Sequence, residues 1–118
     1  MEAFSVTEAM VAWIASMGHR VSSRVRDDSA LPFVTVERTG GGVHSLVDRP
    51  VMAVQCWATT EDEAESMANT LRLALLRTEP PAGIHSVRVN AGPYPLFDER
   101  TRTPRYQLAL DVACQLAT

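Results

Sequence analysis

The chain reads as a single α+β domain with the element order α-β-β-β-α-β-β, a four- to five-stranded mixed sheet carrying both helices on one face. Three observations lead there. Two segments place apolar residues at helical spacing behind capping signals, and five others carry β-branched or alternating patterns. The length of 118 residues is near the modal size of one domain, so residues 1–118 form a single unit. A chain of that size buries roughly two thirds of the surface its unfolded form exposes.

The first helix is announced by Ser5 with Glu8 three residues on, a capping box in which the hydroxyl takes a free backbone N–H. Met10, Trp13, Ile14 and Met17 then recur on one stripe, and Gly18 supplies a stop. Val21, Ser23 and Val25 alternate with Arg20, Ser22, Arg24 and Arg26, the pattern of an edge or partly exposed strand. After a turn at Asp27, Asp28 and Ser29, residues 33–39 form the second strand, rich in β-branched side chains. Gly40, Gly41 and Gly42 open a flexible loop expected to reach Pro50.

Residues 51–58 form the third strand. It is apolar on both faces apart from Gln55, which predicts a place in the sheet interior. Met52, Val54 and Cys56 point one way, and Ala53, Gln55 and Trp57 the other. Thr60 and Glu63 make a second capping box, with Glu61, Asp62 and Glu65 crowding the positive end of the helix dipole. The stripe Ala64, Met67, Ala68, Leu71, Ala74 and Leu75 is the strongest periodic signal in the chain, and Pro80 and Pro81 close it. Residues 84–90 and 105–114 are the last two strands, joined by a long connection over 91–104. Pro32, Pro50 and Pro104 are expected at strand entrances, where a missing N–H does least harm.

Composition narrows the function. Hydrophobic residues at 46% and charged residues at 21% are globular values and argue against disorder. A formal net charge of -3 gives no one-sign field that would draw nucleic acid or a membrane surface. Every basic residue is arginine, which fits either a codon bias or the bidentate pairing that protein interfaces favour. Cys56 and Cys114 sit in apolar runs and read as reduced core thiols. The start Met1-Glu2-Ala3-Phe4 has no basic segment followed by an apolar one, and no stretch approaches a membrane span, so a cytoplasmic product is expected.

Catalytic and metal patterns are weak. His19, His44 and His85 share no ligand spacing with a cysteine or carboxylate, so neither a metal nor another cofactor is expected. Neither cysteine precedes a helix, there is no Gly-x-Ser-x-Gly elbow, and the triple glycine lacks the lysine and helix of a phosphate loop. No catalytic residue is assigned. Arg20, Arg24 and Arg26, and Arg100, Arg102 and Arg105, form two basic groups. Acidic neighbours (Asp27, Asp28, Asp98 and Glu99) interrupt both, and no stacking aromatics interleave, so specific nucleic-acid binding is not expected. Mixed charge in loops suits protein partners better.

Several segments carry a family resemblance. They are Pro32-Phe33-Val34-Thr35-Val36-Glu37-Arg38-Thr39-Gly40-Gly41, Asp48-Arg49-Pro50 leading to Trp57-Ala58, the helix with Glu63-Ala64 and Ala68, Gly92-Pro93, and Pro104-Arg105-Tyr106. Together they resemble tail terminator proteins of siphophages and prophages, also described as minor tail or head-tail joining proteins. The likeness spans roughly residues 32–112 in order.

The resemblance implies a structural subunit of the virion tail, assembled in the host cytoplasm. It implies a ring, hexameric in the family, that caps the tail tube, ends its polymerisation and offers a surface for head attachment. Partners would be further copies of the chain, the major tail tube protein and the head-tail connector. The family brings no catalytic residue. The sheet face left without helices would supply apolar area, Trp57 included, for a neighbour. Arg38, Arg49, Arg100 and Arg102, with Asp98 and Arg105 beside them, would make charged contacts to neighbours or to the tube. A neck or head-completion protein is the alternative of the same class; a toxin or immunity partner, or a small bacterial ligand-binding or enzymatic α+β domain, are alternatives of other kinds. Genes for a tail tube and a tape measure beside this one would separate these readings.

Overall fold

A computed structural model of the chain describes residues 3–25, 30–96, 100 and 102–116. The elements are α1 (Val6–Ala15), β1 (Val21–Ser22), β2 (Phe33–His44), β3 (Val47–Trp57), α2 (Glu61–Arg77), β4 (Ile84–Leu96) and β5 (Arg105–Cys114). Five strands form one mixed sheet in the order β1-β2-β3-β5-β4, with only β1 and β2 parallel. The predicted element order and α+β class hold, and β3 is the central strand.

Both helices begin where the capping residues place them. Ser5 Oγ accepts from the Glu8 N–H at 3.2 Å, and Thr60 Oγ1 from the Glu63 N–H at 3.1 Å. Their stripes meet one face of the sheet in a continuous core. Met10, Trp13 and Ile14 of α1 and Ala68, Leu71 and Leu75 of α2 pack with Val34, Val36, Met52, Val54, Cys56, Leu108 and Leu110. Leu71 is fully buried there, so Leu71→Ala costs about 2–5 kcal/mol. The connection β3-α2-β4 crosses over β5, which returns antiparallel between the two strands.

Three segments differ from the sequence reading. Residues 40–50, read as a flexible glycine loop, continue β2 and β3 as a hairpin closed by a two-residue turn at Ser45 and Leu46. Gly41 is used for close approach: it has φ +88°, and a Cβ there would run into the Arg49 carbonyl. Pro50 consequently lies inside β3, opposite Gly41 and in a stretch where the ladder to β5 passes from Asp48 straight to Val51. It is not at a strand entrance.

The second difference is in the 91–104 connection. Its first part extends β4 to Leu96, because register shifts around Ala91 and a Gly92 at φ +102° absorb Pro93 and Pro95 on an edge strand. The third is β1, expected over 20–26 but paired only at Val21 and Ser22. The Ser22 hydroxyl donates to the Arg24 carbonyl and bends the chain away. The end of that expected strand at Arg26, and the turn at Asp27, Asp28 and Ser29, lie outside the described residues.

Candidate subunit-interaction face

Because register partners share a face, the pairings define what the helix-free side presents. Its rows run Phe33, Trp57, Arg105, Leu96; then Thr35, Gln55, Gln107, Tyr94; then Glu37, Ala53, Ala109, Ala91; then Val51, Asp111, Arg88. A half-apolar face is expected, and the face is mixed, but its large apolar side chains Phe33 and Trp57 are buried within the subunit. In the second row Gln55, Gln107 and Tyr94 are linked by hydrogen bonds.

In the first row Phe33 and Trp57 stack at 5.5 Å with 17° between planes, and the Arg105 guanidinium lies 4.6 Å from the Trp57 ring centre. The Trp57 Nε1–H donates to Thr35 Oγ1 at 3.1 Å. With 3% exposure, Trp57 spends its surface inside the subunit and leaves almost none for a neighbour. Alongside, Gln55 Nε2 donates to Gln107 Oε1 at 2.8 Å, Gln107 Nε2 donates to the Tyr94 hydroxyl, and Arg105 Nη1 reaches Gln55 Oε1 at 3.4 Å. Ser23, Arg24 and Val25 border this end, where a recess of about 220 Å³ lies over Thr35, Gln55 and Arg105.

At the other end of the face Arg88 pairs with Asp111 at 2.8 Å. With Arg49, Ser86 and Ala113 they line an open recess of about 430 Å³. Arg49 is exposed there.

The remaining predicted contacts are scattered. Arg38 is on the helical side, opposite Met52, and holds Asp48 with two bonds of 2.8 and 2.9 Å. That hydrogen bond and charge keep the Asp48 carboxyl below its ordinary range. Arg102, at φ 53°, shares a recess of about 160 Å³ with Glu61, Leu96, Arg105 and Tyr106. Burial, and then the α2 carboxylates Glu65, Glu61 and Asp62, push the Tyr106 hydroxyl pKa up. Arg100 is exposed in the same connection, and Asp98 lies outside the described residues.

The structure therefore joins Trp57 and Arg105 in direct contact and places Arg102 in a recess shared with Arg105, while Arg38 and Arg49 stand apart from that group. Sequence reading missed Gln107, Tyr94, Arg88 and Asp111 as parts of the face. Gln107 and Asp111 alternate with the buried Leu108 and Leu110, but their partners become visible only with the strand register. Among the described residues no group of three or more His, Cys, Asp or Glu side chains converges, and no helix is long and apolar enough to cross a membrane. Compared with protein-family models and with curated proteins, the chain matches none.

Proposed function

We propose that this chain is the ring-forming subunit of a phage tail terminator, which caps the tail tube, ends its growth and receives the head connector. The observation that carries the reading is the one-sided build of the domain. Both helices cover one face, and the other offers the Thr35, Gln55, Gln107 and Tyr94 ladder flanked by arginines. The segments that resemble the family coincide with β2, β3, the start of α2, the bend in β4 and the start of β5.

The test is to polymerise the tail tube protein with and without this chain and to image the tubes. A terminator shortens and unifies tube length and adds a ring of density at one end. Unchanged lengths with bare ends would remove the reading. Binding to the head-side connector but not to the tube would instead favour a neck protein.

A further inference from the structure

We propose that copies of the chain join side by side, the tip of the β2–β3 hairpin of one seating on the outer flank of α2 in the next, with Leu46 and Val43 packed on Leu73 and Leu76. The inference deepens the ring-forming reading, on which it rests, by naming the two surfaces that meet.

The tip supplies the first argument. Leu46 is 81% exposed and Val43 62%. Leu46 also sits at φ 64°, beside Ser45 at 52°, in the left-handed region that costs a bulky side chain strain and that two-residue hairpins normally fill with Asn or Gly. A leucine there is unfavourable to the free subunit twice over, through solvent exposure and through backbone conformation. Packing on a second molecule recovers the first of these.

The second patch is on α2. Leu73 and Leu76 are 45% and 57% exposed, three residues apart on the side away from the buried Ala64, Ala68, Leu71 and Leu75. Arg72 reaches the Gly92 carbonyl of β4 at 3.4 Å and so marks the flank of the helix that faces β4. Leu76 follows one turn later, about 40° further round the same flank.

Placement supplies the third argument. In the order β1-β2-β3-β5-β4 the hairpin belongs to one lateral side, while α2 lies across β3, β5 and β4 toward the other. Along the strands the two patches share an end. α2 runs from the close of β3 to the opening of β4, so its last turns stand where Asp48 pairs with Cys114 and the hairpin begins to project. A sideways step therefore brings tip to flank without reversing strand direction. Such a contact uses different surfaces on the two copies, and it closes into a ring when the rotation permits.

Sedimentation velocity over a concentration series tests this on the full chain, with melting temperatures measured alongside. Leu46→Asn suits the positive φ and leaves the melting temperature unchanged or higher; L73Q/L76Q alters only exposed helix positions. The wild type is expected to form species beyond a dimer, and each variant to weaken association by about tenfold or more. An equimolar mixture of the two variants should form dimers and stop, since each retains only one half of the contact. Association of both folded variants at the wild-type level overturns the inference. So does a wild type that stays monomeric, or a mixture of variants that yields no dimer. Assembly by this contact without any effect on tube length would keep the inference and remove the terminator reading; tube capping by both variants at the wild-type level would do the reverse.

Discussion

The Trp57 indole N–H donates to Thr35 Oγ1 at 3.1 Å, tying β3 to β2 on the side of the sheet that no helix covers. Both residues are buried, Thr35 at 7% exposure and Trp57 at 3%, so water cannot replace the hydroxyl if it is removed. Thr35→Val should therefore destabilise by about 1–3 kcal/mol, the cost of an orphaned donor. Trp57→Phe in the same background should cost less than it does alone, because the donor is gone. Urea unfolding of the four proteins measures the coupling, and strictly additive changes would show that the bond contributes nothing.

The Arg38–Asp48 pair makes stability depend on pH. Arg38 keeps the Asp48 carboxyl below its ordinary range in the folded state. A group lowered in this way stabilises above its unfolded value, about 3.9, and loses that contribution as pH falls through the lower folded value. Arg38→Gln should cost about 1.5 kcal/mol at pH 7, the lower end for a charged hydrogen bond because Arg38 remains a third exposed. The gap between wild type and variant should narrow below pH ~4. An equal gap in urea midpoints at pH 7 and pH 3 would rule out the linkage.

The three consecutive glycines should respond differently to alanine. Gly41→Ala sets a Cβ against the Arg49 carbonyl at φ +88° and should destabilise by more than about 1 kcal/mol. Gly40 and Gly42 have open space around the added atom. Alanine at either should be neutral or raise stability by up to about 1 kcal/mol, through a less disordered unfolded chain. Thermal midpoints decide it; equal losses at all three positions would contradict the strand geometry.

Burial pushes the Cys56 thiol up to about 12 and raises that of Cys114. Almost no Cys56 thiolate exists at pH 8, and neither sulfur is reachable from solvent in the fold. A disulfide-forming thiol reagent should titrate no thiol in the native protein and two in urea. Rapid native labelling would reveal local opening of the core beneath β3.

Much of the architecture was legible because it depends on short-range signals. Ser5, Thr60 and the stripe on α2 identify both helices, and the alternation of Tyr106, Leu108, Leu110 and Val112 gives β5 to the residue. The hairpin over 40–50 and the extension of β4 were hidden by Gly41, Pro50, Gly92 and Pro93. These residues break local rules, and only the neighbouring strand makes them acceptable. The candidate face was legible in part. Trp57 and Arg105 could be named as outward on their strands, but their contact with each other, and the link from Gln55 through Gln107 to Tyr94, depend on register. Arg38 is expected to contact a neighbour; its partner within the subunit, Asp48, was hidden because it lies ten residues on, across a turn that the sequence presents as a loop.

Keeping most of the hydrophobic core beneath the helices separates two kinds of inheritance. A mutation at Gln55, Gln107 or Tyr94 touches none of the side chains that Met10, Leu71 and Leu108 hold together. Evolution can thus revise what the outer row of amides attracts, one substitution at a time, while foldability passes unchanged from ancestor to descendant.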